Sequence, residues 1–179
     1  MTTDAGTYII LAAWLLAAAA CWTDLLLRRI PNTLVLIGVA AGLALNTLSA
    51  GLAGVERSIE GGALGLAVFL PFMVLGGMGA GDVKLMAALG ALLGPANVLG
   101  LALVAALAGG LLALLRVAWE GRLRATVRGI AELLWFWAHT GLRPSPTLNL
   151  SNPGTIRIPY AVPIAAGTVV VTLFQWSRS

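Results

Sequence analysis

The sequence predicts an all-α membrane protein: a polytopic bundle of about six transmembrane helices, with one further amphipathic helix at the membrane surface. Of the 179 residues, 59% are hydrophobic and only 10% are charged, whereas soluble domains carry about a quarter charged residues. Apolar stretches of roughly 20 residues, the length that crosses the hydrocarbon core, follow one another along the chain. These observations exclude an ordinary soluble domain.

The apolar stretches define the predicted spans, and together they form one transmembrane domain over residues 1–179. The first could instead be a cleaved signal peptide, because small residues precede Cys21. No basic residue lies before it, however, and Ala18 stands where a lipoprotein site has leucine, so we expect a permanent helix. The spans run over residues 8–27, 33–52, 59–75, 82–93, 97–119 and 158–176, of which the fourth is the shortest.

The basic residues predict the orientation of the spans, because positively charged loops stay on the cytoplasmic side. We therefore expect the N-terminus outside, and the loops after the first, third and fifth helices in the cytoplasm. Nine of the eleven basic residues fall on that inner side: Arg28, Arg29, Lys84, Arg116, Arg122, Arg124, Arg128, Arg143 and Arg157.

The long segment between the last two spans contains an amphipathic pattern. Apolar residues recur at helical spacing over residues 123–137, whereas Arg124, Arg128 and Glu132 line another face. This indicates either a helix in the cytoplasmic interface or a helix packed on the bundle. Residues 141–154 are rich in Pro, Ser, Thr and Asn and are expected to form a loop.

The composition also excludes several kinds of site. The single cysteine, Cys21, excludes a disulfide framework and a cysteine-based zinc cluster, and the single histidine, His139, argues against a histidine-rich metal site. The formal charge of +4 suits arginines at lipid headgroups better than a nucleic-acid surface. We expect the lipid bilayer as a partner, and no metal, cofactor or nucleic acid.

Asp24 and Asp82 are the candidate functional residues. Apart from Asp4 they are the only aspartates, and they lie in or at the edge of predicted spans, where a charge is costly and usually marks function. The alternation of spans places both at the inner side. Two carboxylates in such a site share a proton, so that one can activate water while the other polarises a carbonyl. This is the chemistry of aspartic proteolysis, which needs no metal or cofactor.

Each aspartate also has a purely structural explanation. Asp24 could form an ion pair with Arg28, four residues on, and Asp82 could cap the fourth helix. Residues 76–81, before Asp82, include four glycines. These glycines would let an extended substrate approach closely, or would form a flexible turn. No Lys-Ser/Thr pair follows, which argues against a phosphate-binding loop.

Three segments resemble the type IV prepilin peptidases. Residues 79–82 (GAGD) match the GxGD signature of intramembrane aspartyl proteases, and the extension VKL at 83–85 is similar to the prepilin peptidases. Asp24 followed by RRIPN at 28–32 resembles the first aspartate motif of that family, and IPYAVP at 158–163 resembles the start of its last helix.

The resemblance implies an endopeptidase that removes the leader peptide of prepilin precursors at the cytoplasmic face of a bacterial inner membrane, with Asp24 and Asp82 as catalytic residues. The chain has no CxxC motif and passes from Asp24 to the second span within about eight residues. It therefore resembles the short TadV/CpaA-like form that serves Flp-type pili, without the methyltransferase-associated cytoplasmic domain.

Five further residues are candidates for substrate-binding or supporting roles: Gly79, Gly81, Lys84, Pro159 and Pro163. Lys84 could act on a nearby carboxylate or an acidic substrate residue, or could anchor its helix at the interface. The two prolines are expected to distort the sixth helix near the site, although Pro159 could simply start it.

Two other function classes are left open. A small proton- or cation-coupled transporter could use the same aspartates, but such carriers often show inverted repeats and acidic residues at the bilayer midplane. We find no convincing repeat, and both aspartates fall toward one end of their spans. In a non-catalytic assembly subunit the two aspartates would be only structural.

Overall fold

The computed structural model describes residues 2–143 and 159–177, and every regular element in this part of the chain is an α-helix. The helices are α1 (Thr2–Leu27), α2 (Asn32–Val74), α3 (Ala80–Leu93), α4 (Pro95–Trp119), α5 (Leu123–Thr140) and α6 (Ala161–Trp176). By length and composition α1, α2 and α4 can cross a membrane, and α6 is a shorter apolar helix. The predicted all-α membrane fold is confirmed.

The long helix α2 doubles back on itself at Gly51, where the backbone leaves the helical region (φ 59°, ψ −133°). Asn46 Nδ2 and Ser58 Oγ both donate to the carbonyl oxygen of Ala91, at 3.0 and 2.8 Å. A straight helix would hold those two side chains about 18 Å apart, at 1.5 Å per residue. The two arms of α2 therefore lie side by side.

The arms cover residues 32–50 and 52–74, and so correspond to the second and third predicted spans. The predicted spans end at residue 52 and resume at residue 59, and the residues between them are also helical. The reversal needs only Gly51, because glycine adopts a positive φ without steric cost. Gly54 is buried directly against the backbone carbonyl of Asn46, so the arms can approach closely enough for so short a turn.

The short helix α3 is the centre of the bundle, and nine of its fourteen residues are buried. Both arms of α2 pack on it through glycines. A Cβ atom at Gly42 would lie 2.7 Å from the backbone of Ala91, and Gly61 and Gly65 meet the backbone carbonyls of Gly90 and Met86. Small residues allow this backbone-to-backbone packing, which drives helix association in membranes.

The last turn of α3 has its free carbonyl groups satisfied by side chains from its neighbours. Arg57 and Asn97 donate to the Leu93 carbonyl at 3.3 and 2.8 Å. Asn46 donates to the Leu92 carbonyl at 3.1 Å, in addition to its bond to the preceding carbonyl. Without water, an unpaired carbonyl costs several kcal/mol, so these polar residues allow the helix to end inside the bundle.

Helices α1, α4 and α6 complete the bundle. Trp14 Nε1 donates to Thr172 Oγ1 at 2.8 Å, which ties α1 to α6. Gly167 lies against the backbone of α4 at Leu101. Helix α6 begins at Ala161, three residues later than the predicted span. Position 158 and most of the predicted 141–154 loop lie outside the described residues.

The predicted amphipathic helix is present as α5, and among the described helices it contacts only α4. None of its residues is buried. Its apolar side chains Leu123, Val127, Ile130 and Leu134 are 46–64% exposed. The alternative of a helix packed with this stripe against the bundle is therefore wrong.

Candidate active site

The end of α1 and the beginnings of α2, α3 and α6 meet at one end of the bundle. Asp24 lies in the last turn of α1, and Asp82 is the third residue of α3. The charge of Asp24 reaches the carboxyl group of Asp82. Ile30, in the turn between α1 and α2, packs over Gly81 beside Asp82. The fold thus brings both candidate aspartates into one half-buried site.

The Asp24 carboxylate faces the beginning of α6, where the backbone N–H of Ala161 donates to Oδ2 at 3.5 Å. The free N–H groups at a helix start carry partial positive charge and favour a carboxylate. The alternative of an ion pair with Arg28 is wrong: within residues 2–143 and 159–177, no ion pair involves Asp24. Arg28 is linked to it only through the backbone, from N–H to carbonyl at 2.8 Å.

Asp82 is held by the glycine-rich turn that precedes it. The N-cap residue of α3 is Gly79, which has no side chain to cap the helix. The Asp82 carboxylate instead lies back against this residue, with Oδ2 3.1 Å from where a Cβ atom of Gly79 would be, the placement of the acidic residue in a capping box. The alternative that Asp82 is the N-cap residue of its helix is therefore wrong, since Asp82 is the third helical residue.

The two predicted supporting glycines each leave room beside Asp82. A Cβ atom at Gly79 would lie 3.1 Å from Asp82 Oδ2, and one at Gly81 would lie 3.3 Å from Ile30 Cβ. Both distances are shorter than ordinary carbon contacts. A larger residue at either position would displace the aspartate or the turn that covers it.

Lys84 and the two prolines lie around the site without entering it. The Lys84 side chain is exposed and donates to Asn32 Oδ1 at 3.0 Å, which links α3 to the start of α2. Pro163 is the third residue of α6, where its missing N–H would have no acceptor within the helix. The expected distortion at Pro163 is therefore wrong, and Pro159 opens the first turn, with its carbonyl accepting from Val162 at 3.3 Å.

Tyr160 is the residue at this site that the sequence analysis missed. It is the N-cap residue of α6 and is half-buried, and the Asp82 charge acts on its hydroxyl group. Its ring packs against Gly109 of α4, where a Cβ atom would be 2.7 Å from Cε2. A tyrosine at the start of an apolar span was the available signal, but nothing in the sequence linked it to Gly109.

The other chemically distinctive residues lie apart from this arrangement or lack partners for metal binding. His139 is exposed on α5, with Nδ1 2.8 Å from the Trp135 carbonyl and its ring 4.2 Å from that tryptophan. Cys21 is half-buried on α1. No group of three His, Cys, Asp or Glu residues that could hold a metal ion occurs in the described part of the chain. The groups placed at the site are two carboxylates, nearby backbone N–H groups, the Tyr160 phenol and the Cys21 thiol, which lies one turn before Asp24.

Comparison with known proteins identifies the family. No curated protein and no solved structure matches this chain. Residues 9–114, more than half of the chain, match the family model described as the type IV leader peptidase family. This range contains both Asp24 and Asp82, and it confirms the resemblance inferred from the motifs. The chain is a membrane protease that belongs to the type IV leader peptidase family.

Proposed function

We propose that this protein removes the leader peptide of Flp-type prepilins at the cytoplasmic face of a bacterial inner membrane, with Asp24 and Asp82 as its catalytic pair. The observation that carries the proposal is that the end of α1, with Asp24, and the start of α3, with Asp82, lie at the same end of an apolar bundle, where the charge of one carboxylate reaches the other. Membership of the leader peptidase family supports the general reaction, which is cleavage of a peptide bond.

The proposed mechanism uses the two carboxyl groups with one proton between them. The ionised carboxylate takes a proton from water, whose oxygen attacks the scissile carbonyl carbon, while the protonated partner donates to the carbonyl oxygen. When the tetrahedral intermediate collapses, the carbon–nitrogen bond breaks and a proton passes to the leaving amine. Two like charges in one half-buried site cannot both ionise cheaply, which would provide the single shared proton.

The surroundings of the pair support a peptide substrate. The glycine-rich turn before α3 presents little side-chain bulk beside Asp82, so that an extended backbone could lie against it. Arg28, Arg29 and Lys84 lie at the same end and are exposed. An excess of basic residues is typical of the cytoplasmic side of a membrane protein, which supports the proposed orientation.

The test is co-expression with a candidate Flp-type prepilin, followed by separation of the precursor from the shorter mature pilin. Asp24→Asn and Asp82→Asn should each abolish processing while the protein stays in the membrane fraction. Glu60→Gln is the matched control, because Glu60 is an exposed carboxylate on the second arm of α2. Processing that persists in either aspartate variant would refute the two-carboxylate mechanism.

A further inference from the structure

We propose that Tyr160 is a third functional group of the site, whose hydroxyl donates a hydrogen bond to the carbonyl oxygen of the bond being cut, and that Gly109 makes the space that its ring requires. The catalytic part of this inference rests on the proposed peptidase function. The packing of the ring on α4 beside the site does not depend on that function.

The position of Tyr160 follows from two neighbours. Tyr160 immediately precedes Ala161, whose N–H donates to Asp24 Oδ2 at 3.5 Å, so the start of α6 lies against one aspartate. Its ring lies against the α4 backbone at Gly109, with the hydroxyl oxygen 2.9 Å from where a Cβ atom would be. The phenol therefore lies beside the site, within range of the charge of the second aspartate, Asp82.

Within residues 2–143 and 159–177, the Tyr160 hydroxyl makes no hydrogen bond that would stabilise the fold. Tyr160 occupies the N-cap position of α6, yet its side chain makes no capping hydrogen bond, and that position usually holds Ser, Thr, Asn or Asp. A tyrosine hydroxyl that is partly buried usually has a hydrogen-bond partner. A substrate carbonyl placed between the two aspartates would supply one.

A phenol at this position suits donation to oxygen. With an ordinary pKa near 10, tyrosine stays protonated at neutral pH, so it can donate but cannot take the proton of the attacking water. A donor aimed at an oxygen that becomes negative binds the transition state more tightly than the substrate, and so affects kcat more than KM. Removing one such donor typically costs about a hundredfold in kcat.

The kinetic test compares Tyr160→Phe with the wild-type protein on a purified prepilin in detergent. We expect kcat to fall about a hundredfold while KM stays within about twofold, because the phenylalanine ring keeps the packing on Gly109. An unchanged kcat, or a loss expressed only in KM, would overturn the role of the hydroxyl.

Adjacent glycines provide a matched pair for the packing. A methyl group at Gly109 would strike the Tyr160 ring, whereas nothing lies within 4 Å of the corresponding position at Gly110. Gly109→Ala should therefore lower kcat and Gly110→Ala should not, although both change the same turn of α4. Equal losses in the two variants would contradict the proposed fit of the ring.

A spectroscopic test keeps this inference separate from the proposed function. The chain has two tyrosines, so incorporation of 3-fluorotyrosine should give two ¹⁹F resonances, and Tyr160→Phe assigns them. Asp82→Asn should move the Tyr160 resonance and leave that of Tyr8, which is 60% exposed near the other end of α1. An unmoved Tyr160 resonance would overturn the inference. If the Tyr160 resonance responds but the wild-type protein cleaves no prepilin, the placement of Tyr160 is upheld and the proposed function is refuted.

Discussion

The shared acceptor at the end of α3 allows a quantitative test of how the bundle is held together. The Ala91 carbonyl accepts from both Asn46 and Ser58, whereas the Leu92 carbonyl accepts only from Asn46 among the side-chain bonds of the described residues. Asn46→Leu therefore leaves one buried carbonyl without a side-chain partner. We expect a loss of about 1–3 kcal/mol in the free energy of unfolding, the usual cost of an unsatisfied buried group.

Ser58→Ala alone should cost less, about 0.5–1.5 kcal/mol, because Asn46 still satisfies the Ala91 carbonyl. In the double variant that carbonyl loses both donors. The two changes should therefore cost more together than the sum of the single effects, by roughly 1 kcal/mol, as expected for residues that share a partner.

The assay is reversible unfolding in mixed micelles with increasing SDS, followed by tryptophan fluorescence. Thr47→Val is the control, because Thr47 adjoins Asn46 but is exposed and bonds only within its own helix, to the Leu43 carbonyl at 2.6 Å. Strict additivity of Asn46→Leu and Ser58→Ala would refute the shared acceptor. A control variant as unstable as Asn46→Leu would show that the loss arises elsewhere.

Two further predictions concern glycines. Gly81→Ala should reduce prepilin cleavage by displacing Ile30, yet leave the fold as stable or more so, because alanine favours a helix by about 1 kcal/mol over glycine. The control is Gly77→Ala, in the same glycine-rich turn, where a Cβ atom would meet only one backbone atom, at 3.5 Å, so that cleavage should be unchanged. Equal cleavage by both variants would contradict the role of Gly81. Gly51→Ala should destabilise the protein by about 1–2 kcal/mol in the same unfolding assay, because alanine is strained at a positive φ, although no atom lies within 4 Å of its Cβ position; an unchanged stability would mean that the reversal of α2 does not depend on that backbone conformation.

Much of the arrangement around the two aspartates could be predicted from the sequence, because it depends on the number of membrane spans between them. Spans of about 20 apolar residues are visible in composition alone, and their alternation brings Asp24 and Asp82 to the same end. Glycines before Asp82 indicated a tight turn, and the structure shows which ones leave space for their neighbours. Local pattern was enough for these inferences.

The remaining features depend on contacts between distant residues. The reversal of α2 at one residue could not be predicted, because Gly51 does not differ in sequence from other glycines in apolar runs. The reversal depends on the contact of Gly54 with the Asn46 backbone, which only the fold shows. The packing of Tyr160 on Gly109 joins residues about fifty positions apart in the sequence. No periodicity or motif reports such a pair, and only the crossing of α4 and α6 brings them together.

The glycine contacts between α2 and α3 have a consequence for where a substrate is cut. Backbones in direct contact cannot slide past each other, because a shift along the axis would drive side chains into positions that only hydrogen atoms can occupy. The height of Asp82 is therefore fixed by the hairpin that clasps α3. If the peptide is cut at this carboxylate, the packing of the two arms of α2 on α3 sets the depth in the bundle at which cleavage occurs.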